Sequence, residues 1–154
     1  MKNNINIRQL ENHNLIPYEL LLLADPSKET INDYISRGIC FIAEKQDTIV
    51  GIYILMKTRP LIMELVNVAV LESEQGKGIG KQLILDCIDK AKMFGAKTLE
   101  VGTGNSSISQ LVLYQKCGFR ITGIDRDFFK IHYREKIMEN GIECIDMIRL
   151  AISL

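Results

Sequence analysis

Apolar and polar residues alternate along INIRQL (5–10), which predicts a first strand. Two short helical patterns follow, PYELLLLA (17–24) and KETINDYISRG (28–38), separated by Asp-Pro-Ser, with Pro17 suited to a first helical turn. ICFIAEKQDTIVGIYILMKT (39–58) reads as a hairpin, two apolar runs joined through a polar turn around Gln46 and Asp47. LIMELVNVAVL (61–71) is another strand. In KQLILDCIDKAKMFG (81–95), Leu83, Ile84, Cys87, Ile88 and Ala91 recur at helical spacing, and Gly95 suits the stop. KTLEVGTG (97–104) predicts a strand and SISQLVLYQKCGF (107–119) a helix ending at Gly118. RITGIDRDFF (120–129) reads as extended, residues 130–140 as a polar loop, and IECIDMIRLAISL (142–154) as one closing strand.

Several consecutive strands come first and helix crossovers follow. That order argues for an α+β domain with a mixed sheet and helices on both faces, and against a regular parallel doubly wound fold. No repeat or linker divides the chain, so residues 1–154 are expected to form a single domain.

The stretch ESEQGKGIGKQLI (72–84) interrupts this pattern with Gly76, Gly78 and Gly80 directly before a helix. Glycine is costly there unless something must approach the backbone closely. A strand, a glycine turn and a helix N-terminus together suit an anion, because the first-turn N–H groups point outward. Two familiar phosphate motifs fail on spacing. A dinucleotide fingerprint begun at Gly76 needs a third glycine where Lys81 stands. A P-loop needs Ser or Thr where Gln82 follows Lys81.

Composition narrows the rest. Nineteen basic residues balance nineteen acidic ones, so net charge predicts neither a nucleic-acid partner nor a membrane surface. The apolar run inside LIPYELLLLAD is too short to span a bilayer, and MKNNINIRQLENHN lacks the apolar core of a signal peptide. Cys40, Cys87, Cys117 and Cys144 are scattered without a CxxC pair, so no metal site is expected and the thiols read as small buried apolar groups. A cytoplasmic location is the default expectation.

QGKGIG, with Gln75, Gly78 and Gly80 in Q/R-x-x-G-x-G/A spacing, resembles the pyrophosphate loop of the GNAT superfamily of N-acetyltransferases. Its context strengthens the likeness: an apolar strand before it, a helix after it, then TLEV, and LYQKCGF before another strand. The resemblance runs from about residue 5 to the C-terminus and is best between 61 and 124. It implies a mostly antiparallel central sheet of about seven strands and transfer of the acetyl group of acetyl-CoA to a primary amine by direct attack in a ternary complex.

Carried over by position, Gln75, Gly76, Lys77, Gly78, Ile79, Gly80 and Lys81 would hold the pyrophosphate. The Val68 N–H would face the acetyl oxygen and Val70 would pair with the pantetheine arm, on a strand that in the family bulges from its neighbour. Glu64, the one charged residue in LIMELVNVAVL, matches a general base used by some members, and simple alternation places it on one face with Val66, Val68 and Val70. Tyr114 matches the tyrosine that protonates the leaving thiolate. A family asparagine seven residues before that tyrosine is here Ser107, with Asn105 two residues earlier, so either could supply its cofactor contact. The acceptor pocket would draw on LADPSKET, with Asp25, and on DRDFFKIHYREKIMENG, where Asp127, Phe128, Phe129 and His132 could hold a cationic amine. The acceptor is expected to be a small molecule or a peptide. An acyl-CoA-binding module without turnover is the alternative. The segments ELLLLA and IDMIRLAISL could pack within the monomer or form a homodimer.

Overall fold

The computed structural model describes residues 4–154. Its main sheet has seven strands in the order β1-β2-β3-β4-β5-β9-β6, antiparallel except for the parallel pair β4–β5. The strands are β1 (Asn6–Gln9), β2 (Ile39–Lys45), β3 (Thr48–Arg59), β4 (Ile62–Val70), β5 (Thr98–Gly104), β6 (Arg120–Asp125) and β9 (Met147–Ser153). Helices α1 (Tyr18–Leu21) and α2 (Lys28–Ile35) cover one face. Helices α3 (Ile79–Met93) and α4 (Ile108–Lys116) cover the other. The expected fold class, a mostly antiparallel seven-stranded sheet with helices on both faces, is the one observed.

Each face has its own core. On the α3 side, Phe41, Tyr53, Leu55, Leu83, Ile84, Cys87, Leu99 and Leu150 are buried together. On the α1–α2 side, Leu21, Ile31, Ile42, Ile52 and Ile54 are buried. The long strand β3 serves both cores by alternation, which explains its nearly continuous apolar run. Gln46 and Asp47 both take positive φ (51° and 63°), the conformation that a tight two-residue hairpin demands.

Four local expectations are corrected. The helix predicted from Pro17 to Ala24 is one turn long, and Pro17 sits ahead of it with ψ 87° rather than inside its first turn. The segment read as extended through Phe129 leaves the sheet at Asp125 and forms a short helix, α5 (Phe128–His132). β7 (Met138–Glu139), inside the expected loop, pairs with β8 (Ile142–Glu143), the start of the expected closing strand, as a separate ribbon. The closing strand is therefore broken. Asn105 takes the N–H groups of both Ile145 and Asp146 on its side-chain oxygen, at 2.7 and 3.0 Å, which draws the chain out of line before β9 begins.

The fourth correction concerns β4. Ile54 pairs with Asn67 but Leu55 pairs with Leu65, so Val66 is an extra residue, a β-bulge. Met63, Leu65, Val68 and Val70 all reach the α3-side core, while Val66 and Ala69 pack toward the α1–α2 side. The bulge thus reverses the alternation. Glu64, between Met63 and Leu65, faces away from Val68 and Val70 rather than sharing their face.

Candidate active site

Pairing of β4 with β5 runs from Ile62–Thr98 to Leu65–Val101 and stops. Beyond that point β4 stays with β3 as far as Val70, and β5 stays with β9 as far as Gly104. The two parallel strands therefore separate immediately after the bulge, leaving one edge of residues 66–70 unpaired. The chain then passes through the glycine turn into α3.

A cleft of about 460 Å³ opens at this point. It is lined by Val68 and Val70 of β4, by Gln75, Gly76, Gly78, Ile79, Gly80 and Lys81, and by Ser109, Gln110 and Leu113 of α4. Gly76 and Gly78 adopt positive φ (77° and 83°), where a side chain is strained. Gly78 is the N-cap of α3 without a side-chain cap, and the first closed helical bond runs from the Gln82 N–H to the Gly78 carbonyl. The amides of Ile79, Gly80 and Lys81 thus have no partner within the helix. A Cβ at Gly80 would lie 3.6 Å from Leu113 and 3.8 Å from Val70, both lining residues, so it would project into the cleft itself. These features fit the pyrophosphate and pantetheine of a CoA thioester.

The other residues expected around the cofactor are placed differently from one another. The Ile79 side chain is buried in the core, so its contribution to the cleft is its backbone. The Gln75 amide donates to the Val70 carbonyl at 3.0 Å, tying the turn to the end of β4. Lys77 is paired with Glu74 at 3.0 Å, and Lys45 reaches the same carboxylate at 3.1 Å, which holds the Glu74 pKa below its usual range. Asn105 braces the segment before β9, and the Ser107 hydroxyl donates to Glu139 at 2.7 Å. Both lie outside the cleft lining. Leu23, Ala24, Ile84, Ser109, Gln110 and Leu113 line it without having been singled out in the sequence. Their ordinary apolar and small polar types give no signal apart from the fold.

Tyr114 of α4 is 4% exposed, with its ring edge-on to Phe119 at 5.8 Å. Its hydroxyl has no hydrogen-bond partner among the described residues. Burial pushes its pKa well up, so the phenol stays protonated across neutral pH.

On the opposite face of the sheet, Glu64 lies beside Glu100 of β5, its register partner. Arg149 of β9 approaches with Nη1 at 4.0 Å from Glu64 Oε2. Burial raises the Glu64 pKa, Arg149 lowers it, and Glu100 raises it again, for a net upward shift. Phe128 of α5 stacks near Arg149, 5.5 Å from the guanidinium carbon, and near His132, 4.4 Å between ring centres. Phe129 packs against Tyr133 at 5.3 Å. The structure thus brings Glu64 onto the face that carries Phe128 and His132. Asp127, with φ 60°, starts α5 and donates its N–H to Asp146.

Asp25 is held rather than open. It accepts hydrogen bonds from the Ser27 N–H at 3.0 Å, the Tyr133 hydroxyl at 3.0 Å and the Tyr34 hydroxyl at 3.3 Å. Tyr34 in turn accepts from the Asn67 side-chain amide at 2.8 Å, and Asn67 also donates to the Leu21 carbonyl at 3.1 Å. This chain of bonds ties the bulged strand to α1, α2 and the segment after α5. Asn67 and Arg149 were both legible as polar breaks within apolar strands, the same signal that marked Glu64.

Among the described residues no helix is long and apolar enough to cross a membrane, and no cluster of His, Cys, Asp or Glu could hold a metal ion.

Comparisons with known proteins agree with this geometry. Residues 36–121 match the family model described as Acetyltransferase (GNAT) domain. The chain is 61% identical over 137 residues to the uncharacterized N-acetyltransferase YvbK of Bacillus subtilis (strain 168), covering 89% of this chain and 88% of that one. A solved Bacillus subtilis acetyltransferase in complex with CoA matches with a TM-score of 0.93 and 58% identity, over 97% of this chain and 99% of the other. A GNAT family acetyltransferase from Elizabethkingia anophelis with acetyl-CoA bound matches with a TM-score of 0.97 and 51% identity, over 99% and 100%. The chain belongs to the GNAT acetyltransferase family.

Proposed function

We propose that this protein is an N-acetyltransferase that moves the acetyl group of acetyl-CoA to a primary amine by direct attack in a ternary complex. The observation that carries this is the parting of β4 from β5 beside an uncapped, glycine-lined helix start, one continuous cleft for a long anionic thioester. When bound, acetyl-CoA supplies an activated acyl carbon and a thiol leaving group.

This chain's residues supply the rest. The amides of residues 79–81, with Lys81, hold the pyrophosphate at the positive end of α3. The free edge of β4 receives the pantetheine around Val70, and the Val68 N–H faces the acyl oxygen, where a preorganised donor stabilises developing charge. Glu64, its pKa raised by burial, takes a proton from the amine directly or through water. Tyr114 gives its proton to the departing sulfur. The acceptor is a cationic amine, small or peptide-borne, drawn by the acidic groups of the α5 face, including Asp127, and shaped by Phe128, Phe129 and His132. Asp25 supports that pocket by joining its walls through Tyr34 and Tyr133.

Calorimetric titration with acetyl-CoA, beside ATP and NAD, tests the first half. Selective acetyl-CoA binding, followed by thiol release with members of an amine panel, is the expected result. Folded protein that ignores acetyl-CoA would refute the assignment of the glycine turn and all that depends on it.

A further inference from the structure

Arg149 is the one charged residue in MIRLAIS, a strand that otherwise packs against apolar neighbours. Its placement is unusually constrained. Nε and Nη2 each lie 2.8 Å from Oδ2 of Asp125 on β6, and the guanidinium faces the Phe128 ring. Beneath it, Gly102 leaves the floor of the sheet bare. A Cβ there would come within 3.1 Å of Nη1 and 2.7 Å of Met147 Sδ. Three neighbours from three elements thus direct Nη1 toward Glu64, at 4.0 Å.

That distance is too long for a hydrogen bond and short enough for strong charge coupling. It leaves the Glu64 oxygens free to accept from an amine or a water, and no hydrogen bond reaches them among the described residues. The charged and titratable groups around this face, among the described residues, include Glu100, itself bonded to Arg59 at 2.9 Å, then Asp125, Asp127 and His132, and Asp25 with its partners Tyr34 and Tyr133. Burial and Glu100 both favour a neutral Glu64, which could not accept a proton. Arg149 opposes them.

We infer that Arg149 is a positioning residue for Glu64, whose guanidinium, fixed by Asp125, Phe128 and the gap over Gly102, keeps the carboxylate charged and in place. This rests on the reading of Glu64 as base. It adds that the base depends on a strand that touches neither the cleft nor the glycine turn.

The test is a carboxyl-carbon NMR titration of Glu64 in the full chain with CoA bound, its signal assigned by loss in Glu64→Gln. Arg149→Met should raise the Glu64 midpoint by about one to two pH units. The acid limb of kcat/KM should move the same way with any amine the wild type acetylates. Arg149→Gln, which retains a hydrogen bond to Asp125 without charge, should give the same rise, and Arg149→Lys should stay near wild type. An unmoved midpoint in either neutral variant overturns the inference. So does a wild-type Glu64 that titrates above about pH 8, since the guanidinium would then have failed to keep it charged. If Glu64→Gln retains full turnover, Glu64 is not the base, while a shifted midpoint would still establish the coupling. The two failures are therefore separable.

Discussion

Replacing Tyr114 by Phe should separate chemistry from stability. The side chain is buried at 4% exposure and its ring contact with Phe119 does not involve the hydroxyl, so phenylalanine preserves the packing. A buried tyrosine that bonds a neighbour typically loses about 1 kcal/mol on this change. Here no such bond is lost, because the hydroxyl has no partner among the described residues. The expected change in stability is within about 0.5 kcal/mol, which for a chain of this size is under about 2 °C in Tm. The effect on turnover should be far larger. A positioned general acid contributes about a hundredfold or more, equivalent to roughly 2.7 kcal/mol in the barrier. CoA affinity should not change. Calorimetric melting gives the first quantity, and single-turnover thiol release gives the second, with product release removed from the measured rate. Turnover within twofold of wild type would show that Tyr114 is not the acid. A loss of about 2 kcal/mol in stability would show instead that the hydroxyl is a structural bond, and the argument from its open donor would fail.

Two further outcomes follow from the site. Gly78→Ala should cost about 1–2 kcal/mol, because φ of 83° is strained for alanine, and lower Tm by about 2–8 °C. It should also weaken CoA binding at least tenfold by turning the first amides of α3, and unchanged affinity in a titration would contradict their role. The raised Glu64 pKa carries a defined sign: the folded chain keeps this proton to higher pH than the unfolded chain, so between the ordinary carboxylate value of 4.5 and the folded value stability falls as pH rises. Denaturant melts across that window should show wild type losing stability relative to Glu64→Gln on the alkaline side, while wild-type turnover falls as pH drops through the folded value. A difference between the two proteins that is flat with pH would refute the shift.

The residues that announced themselves in the sequence were those whose local rule coincides with the tertiary outcome. Gly95 and Gly118 end their helices with φ of 84° and 105°. The apolar face of α3 became its buried face, and the glycine turn lies where a strand meets a helix. What escaped was set by contacts distant in sequence. Residues 142–154 form an apolar-rich run with no glycine or proline to interrupt it, and the break before β9 comes from Asn105, about forty residues away. The turn of α5 depends on Phe129 donating its N–H to the Ile145 carbonyl at 2.9 Å. No glycine or proline in ELVNVAV marks the bulge that the family likeness implied, and so plain alternation set Glu64 on one face with Val68 and Val70. Asp25 read as a free acid for the acceptor because its tyrosine partners lie 9 and 108 residues away.

The position of β9 between β5 and β6 has a consequence for how the molecule is made. Thr98 pairs with Ser153, and Arg120 pairs with Ala151, so both neighbours precede in the chain the strand that joins them. Until residues 147–153 arrive, β5 keeps an open edge and β6 has no sheet to join. The order of synthesis therefore delays closure of this half of the sheet, and pairing across sequence separations of up to about fifty-five residues carries the loop-closure entropy that slows folding. A nascent chain halted before residue 147 would hold the hairpin, the bulge and the glycine turn, yet expose a ready template for pairing with other chains. It would also lack Arg149, so the acceptor face would be completed only as folding finishes.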